Sequence, residues 1–222
     1  MATDRSANLV LYSYWRSSSA YRVRIALNLK GIEYRQEAVH LVREGGQQHR
    51  PEYRALNPLG LVPALVHGDR VIVQSMAICE YLEESFAACP LLPPGPAERA
   101  RVRGMAQSIA SEIQPLNNLA VMNYLKTEMS QDSGAVKSWY GHWIERGFAA
   151  VETWLSTPAS GLYCHGDRPT LADCFLVPQV YNAERFSCDL EPYPNLRRIT
   201  EQCRSLSAFQ KAAPENQADA EI

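Results

Sequence analysis

Asn8-Leu-Val-Leu-Tyr12-Ser-Tyr-Trp-Arg16-Ser17-Ser18-Ser19-Ala20-Tyr-Arg22-Val-Arg24-Ile-Ala-Leu-Asn-Leu-Lys-Gly31 passes from an apolar strand pattern, through three serines, into a helical pattern closed by glycine. A strand that turns directly into a helix leaves backbone N–H groups without carbonyl partners at the turn, and the helix dipole adds positive potential there. An anion is favoured at such a spot. Serine hydroxyls donate to thiolates, and thiols near helix N-termini ionise more readily, so the turn suits a bound thiol. No cysteine lies in it, so the sulfur would come from a ligand. Read alone, three serines after a strand are more often a turn and a helix cap than a catalytic site.

Outward from this stretch, the first 86 residues alternate strand and helix signals. Strands are expected at Leu9 to Tyr12, Tyr34 to Ala38, Ala64 to His67 and Val71 to Val73, with Gly68 and Asp69 as a two-residue antiparallel turn. Gly31 suits the left-handed cap after the first helix. A second helix opens at Ser75 and buries Ile78, Cys79, Leu82 and Phe86. The expected order is β, α, β, β, β, α, a small α/β domain over residues 1–87. Four prolines between Cys89 and Pro96 stop regular structure, so residues 88–96 read as a linker.

Beyond the linker, Val102, Met105, Ala106, Ile109, Ala110 and Ile113 recur at helical spacing, and Trp139, Trp143, Gly147, Val151 and Trp154 repeat it. The tryptophans are expected in the core. Thr170 and Asp173 form a capping-box pair, and Pro178 is expected to kink or break the helix they open. Residues 97–213 therefore read as an all-helical domain, and the polar tail 214–222 is expected to lack order.

The chain has 222 residues, 46% hydrophobic, with 22 basic against 24 acidic side chains. That balance gives no basic face for nucleic acid and no polybasic membrane anchor. No apolar run approaches the roughly 20 residues of a membrane span, and no signal peptide is visible. The six cysteines are scattered and fit reduced thiols, so a cytoplasmic protein acting on small molecules is expected. The five histidines show no metal-ligand spacing and read as surface residues; no metal is expected.

The run from Tyr12 to Gly31 closely resembles the zeta class of glutathione transferases, which includes the maleylacetoacetate isomerases. So do Glu44-Gly-Gly-Gln-Gln48, Leu56-Asn-Pro58, Val62-Pro-Ala64, Gln74-Ser75, Glu80-Tyr-Leu-Glu-Glu84, Ile113-Gln-Pro-Leu116, Gly166-Asp167, Leu171-Ala-Asp173, Val177-Pro-Gln-Val180, Asn182-Ala-Glu-Arg-Phe186 and Pro192-Tyr-Pro194. The resemblance spans nearly the whole chain in the family's order. It implies an α/β thioredoxin-like N-terminal domain followed by an all-α C-terminal domain, the glutathione transferase architecture, assembled as a homodimer.

For chemistry, the resemblance implies glutathione as cofactor and cis–trans isomerisation of maleylacetoacetate to fumarylacetoacetate in tyrosine and phenylalanine breakdown. Maleylpyruvate isomerisation in the gentisate pathway is the alternative, and a non-catalytic glutathione-fold scaffold is a third reading. Ser17 matches the serine that stabilises the glutathione thiolate, with Ser18 beside it. Ser19 joins the glutathione set but stands where many members carry cysteine, which argues against chemistry needing a protein thiol. Val62 and Pro63 match a cis-proline turn facing the glutathione backbone. Gln74 and Ser75 match the pair that holds the γ-glutamyl end, Gln48 a loop position, and Asn118 a position in the first long helix of the second domain. Gln48 and Asn118 read equally as solvated polar residues. The dianionic substrate calls for cations, and Arg16 and Arg185 are the candidates, since guanidinium groups grip carboxylates two-pronged. Arg185 reads equally as a salt-bridge residue beside Glu184.

Overall fold

A computed structural model describes residues 9–221. The first strand, β1 (Leu9–Ser13), buries alternate side chains, and α1 (Ser18–Leu29) follows it with Ala20, Tyr21, Val23 and Ile25 through Leu27 all buried. Gly31 takes φ 65° just beyond the helix, the left-handed geometry that a side chain would oppose. Then come β2 (Arg35–Ala38), the short α2 (Pro51–Leu56), β3 (Ala64–His67), β4 (Arg70–Val73) and α3 (Ser75–Ser85). The sheet order is β2-β1-β3-β4. β1 runs parallel to β2 and antiparallel to β3, and β3 and β4 form the antiparallel hairpin turned by Gly68 and Asp69.

The thioredoxin-like expectation holds, with one element added. Helix α2 is too short for a periodic signal; Pro51 at its first position, where no N–H is needed, is the trace it leaves in the sequence. The order is therefore βαβαββα.

The chain divides into two compact units, but not at the expected boundaries. Among the described residues, those up to Leu91 form the first unit together with those from Leu206 onward, and Leu92–Ser205 form the second. The 214–222 tail, expected to lack order, is ordered over its described residues: Pro214–Asn216 make a 3-10 turn and Ala220 packs against the cluster of Tyr14, Trp15, Val39, Tyr53 and Val62. Its polar composition conceals the fact that a few residues dock on a surface the first unit already provides.

The second unit contains α4 (Pro96–Ser108), a π turn over Ile109–Ile113, a 3-10 turn over Gln114–Asn117, α5 (Leu119–Thr127), α6 (Ser133–Leu155), α7 (Leu171–Arg185) and α8 (Pro194–Arg204). The last helix, α9 (Ser207–Ala212), belongs to the first unit and lies on α1. Helix α7 packs against α4 and α8 and is buried almost all round, and it runs unbroken through Pro178. Burial from several sides outweighs the roughly 3 kcal/mol that an internal proline costs a helix. Thr170 and Asp173 form the expected capping box, each bonding the other's backbone.

The tryptophans depart from expectation. The buried stripe of α6 is Val136, Tyr140, Ile144, Phe148, Val151 and Leu155. Trp139 and Trp143 flank that stripe half-buried, and Trp154 is 39% exposed. Both patterns have helical period, and the ring sizes drew attention to the wrong one.

Candidate active site

The turn between β1 and α1 closes when the Ser17 N–H donates to the Tyr14 carbonyl at 3.0 Å. Ser17 is the N-cap of α1, and its Oγ accepts from the Ala20 N–H at 3.2 Å. That bond uses a lone pair and leaves the hydroxyl proton free to donate. Ser18, buried, and Ser19, half-buried, open the helix, where their N–H groups have no carbonyl of the helix to meet. The capped hydroxyl and the helix dipole together make this turn a place for a thiolate or another anion.

Two buried arginines, one on the turn and one between α1 and α3, were passed over by sequence reasoning. Arg24, fully buried, donates to Ser13 Oγ (3.0 Å), to the carbonyls of Tyr14 (3.3 Å) and Trp15 (2.9 Å), and through Nε to the Ala212 carbonyl of α9 (2.9 Å). Arg22 donates through Nη1 to Ser75 Oγ at 3.1 Å, tying α1 to the start of α3; burial lowers its pKa to about 10, so it stays charged at neutral pH. The available signal was Arg-Val-Arg inside the mostly apolar run Ala20 to Leu27.

Three further segments of the first unit carry expected site residues. Gln48 is buried. Its Nε2 donates to the Leu41 carbonyl at 3.2 Å, while Oε1 makes no hydrogen bond among the described residues. Two left-handed glycines fit round it: a Cβ on Gly46 (φ 99°) would lie 2.5 Å from its side-chain amide nitrogen, and one on Gly60 (φ 62°) 2.9 Å from its main-chain carbonyl oxygen. The Val62–Pro63 bond is cis, and both residues are buried. The carbonyl of Leu61 before them accepts from Tyr53 Oη (2.6 Å) and Asn57 Nδ2 (2.7 Å). Gln74 is exposed with φ 73°, a left-handed conformation that costs a glutamine energy and turns the chain sharply into α3, whose first residue is the buried Ser75.

The guanidinium of Arg16 lies 4.9 Å from the Trp15 ring centroid. Arg185 is exposed in the last turn of α7, 5.7 Å from the Phe186 ring centroid, and Glu184 takes Arg204 as a two-pronged ion partner at 2.8 and 2.6 Å. Asn118 is not in the first long helix. It is the N-cap of α5, with Oδ1 accepting from Val121 N–H (3.0 Å) and Nδ2 donating to the Pro115 carbonyl (2.7 Å). One histidine departs from the surface reading: His40 is buried, and its Nδ1 accepts from the N–H groups of Val42 (3.2 Å) and Arg43 (2.8 Å). Among the described residues no group of three or more His, Cys, Asp or Glu is placed to hold a metal, and no helix is long and apolar enough to cross a membrane.

Comparison with known proteins identifies the family. Residues 7–84 match the glutathione S-transferase N-terminal domain and residues 137–201 the glutathione S-transferase C-terminal domain. The fold is that of a glutathione transferase. The chain is 50% identical to a probable maleylacetoacetate isomerase of Vibrio cholerae over 213 residues, covering 96% of this chain and 99% of that one. It superposes with TM-score 0.92 on the holo structure of a maleylpyruvate isomerase described as a bacterial zeta-class glutathione transferase, at 46% identity and covering 96% of this chain and all of that one. A maleylacetoacetate isomerase from Anaeromyxobacter dehalogenans with glutathione bound in its active site superposes with TM-score 0.86 at 47% identity, covering 96% and 98%. The chain belongs to the zeta class of glutathione transferases, the family of the maleylacetoacetate isomerases.

Proposed function

We propose that the protein is a glutathione-dependent cis–trans isomerase of maleyl dicarboxylates, with maleylacetoacetate as its substrate. The observation that carries this reading is the Ser17 hydroxyl, fixed as an acceptor by the Ala20 N–H and left with its proton to give. The buried Gln48 Oε1, without a hydrogen bond among the described residues, fits a site that completes its bonding on a ligand such as glutathione.

Glutathione supplies a thiolate that adds to the conjugated double bond, leaves a single bond free to rotate, and departs again, so nothing is oxidised or reduced overall. The Ser17 hydroxyl donates to the sulfur and, with the helix dipole, holds it ionised. Ser18 and Ser19 present the first N–H groups of α1 beside it. Gln48 and the backbone of Val62 and Pro63 hold the peptide; Gln74 and Ser75, at the start of α3, take the γ-glutamyl carboxylate. Arg16 and Arg185 are the candidate carboxylate-binding cations; a guanidinium offers a planar fork to a carboxylate and stabilises negative charge that develops near it. Asn118 serves in this reading as the α5 cap, since both ends of its amide are engaged there.

The deciding experiment follows the glutathione-dependent loss of maleylacetoacetate and of maleylpyruvate at equal concentrations. Preference for maleylacetoacetate supports the reading. Preference for maleylpyruvate assigns the shorter substrate, and activity on neither leaves a glutathione-fold scaffold. The same preparation is expected to elute as a homodimer in size-exclusion chromatography with light scattering, and a monomer contradicts that part.

A further inference from the structure

We infer that Asp219, close to the chain's last residues, is a positioning residue for the serine turn. The Trp15 N–H, two residues before Ser17, donates to Asp219 Oδ2 at 3.0 Å, across 204 residues of sequence. The same residue's carbonyl is held by Arg24 at 2.9 Å. The peptide groups on both sides of the Trp15 Cα are therefore clamped, one by a carboxylate and the other by a guanidinium. Charge-assisted bonds of this kind are stronger than neutral ones and leave the turn little freedom.

The segment that carries Asp219 is itself fixed. Gln217 Nε2 donates to the carbonyls of Lys211 (2.9 Å) and Ala213 (2.8 Å), and the Ala220 N–H donates to the Gln217 carbonyl at 3.0 Å. Ala220 packs on the cluster that contains Trp15 and Val62. Glu221 Oε1 pairs with Arg43 and lies 3.3 Å from His40 Nε2. The second oxygen of Asp219 is buried without a hydrogen bond among the described residues. A carboxylate that accepts such shielding is placed for the bond it does make rather than for solvation.

The inference rests on the proposed glutathione site. Asp219 sets where the Trp15 to Ser17 backbone lies, and hence where the Ser17 hydroxyl meets the sulfur. Small displacements of such a group are costly, because catalysis needs its geometry held closely.

The test compares Asp219→Ala and Asp219→Asn with the parent, measuring the apparent pKa of the bound glutathione thiol by ultraviolet titration, together with kcat and KM. Asp219→Ala is expected to raise the thiol pKa by about one unit and to lower kcat about tenfold, with a smaller change in the KM for glutathione. Asp219→Asn keeps an accepting oxygen and is expected to stay within about twofold of the parent. A purely structural strap would lower the melting temperature and leave the thiol pKa and kcat unchanged; that result in Asp219→Ala overturns the inference. If Asp219→Ala does not fold, Asp219→Glu keeps the carboxylate on an arm one carbon longer, and an unchanged thiol pKa and kcat in that variant overturns the inference equally. The titration needs no alkene substrate. Failure of the parent to turn over maleyl compounds therefore counts against the proposed function, while the thiol pKa still judges Asp219.

Discussion

Arg24 Nη2 lies 2.9 Å from the carbonyl oxygen of Trp15, inside a protein interior where the arginine has no measurable exposure. Its other donors reach Ser13, Tyr14 and Ala212, so one side chain satisfies acceptors on the strand end, the turn and the last helix of the first unit. Replacing it with methionine keeps the length and strands those acceptors in a dry environment. Arg24→Met is expected to lose about 3–5 kcal/mol of unfolding free energy, read from urea denaturation. A loss under about 1 kcal/mol would show that water reaches the pocket and that the staple is dispensable.

Ser17 has two duties that substitution can separate. Alanine removes both the cap and the donor, whereas glycine loses only a few tenths of a kcal/mol as a cap and also lacks the donor. Ser17→Ala is expected to cost about 1 kcal/mol of stability, and Ser17→Gly much less. Both should lose roughly a hundredfold in kcat, the usual consequence of removing one donor to a developing anion. Full turnover by Ser17→Gly would remove the hydroxyl from the mechanism.

Gly46 offers a test of the loop that shapes Gln48. With φ 99° and the Gln48 amide 2.5 Å from where a Cβ would sit, Gly46→Ala must move the glutamine or the backbone. The expected result is a several-fold rise in the KM for glutathione and a stability loss of about 1–2 kcal/mol. Gly31→Ala serves as control: it also has positive φ but nothing within 4 Å, so it should lose stability with the KM unchanged. Equal KM effects would mean that the Gln48 contact is irrelevant to binding.

Asp173 gives a pH dependence with a definite sign. Its carboxylate accepts from the Cys164 N–H (2.8 Å), the Thr170 N–H (2.7 Å) and the Thr170 hydroxyl (2.9 Å), yet burial raises its pKa above the ordinary 3.8 more than these bonds lower it. The folded protein thus holds this proton more tightly than the unfolded chain does. The resulting stability is fully present below the unfolded value and is lost as pH rises through the raised folded value. The parent's stability relative to Asp173→Asn, which cannot titrate, should therefore fall as pH rises just above 3.8. Parallel stability curves for the two proteins across that range would contradict the assignment.

How far the sequence could be read follows the range of the interactions involved. The β1–serine–α1 stretch was legible because strand, cap and helix are adjacent, and the Thr170–Asp173 pair because a capping box spans three residues. Helix α2 escaped because six residues carry too few turns for a periodic signal. The buried face of α6 was misread because Trp139, Trp143 and Trp154 share its period and have larger side chains. Asp219 left no trace at all, since its partner Trp15 is 204 residues away and its neighbours look like solvated tail. Arg22 and Arg24 were passed over because no local pattern shows that a guanidinium will find its acceptors on other elements.

The ribosome delivers the first unit in two instalments. The turn and α1 are made early, but the Ala212 carbonyl that completes Arg24, and the carboxylate that takes the Trp15 N–H, follow only after the intervening second unit. At elongation rates of about 5–20 residues per second, the early residues wait on the order of ten seconds or more for their closing partners. Until then α1 lacks the α9 face that packs on it, and the turn is completed only after residues about 200 positions further along have been made.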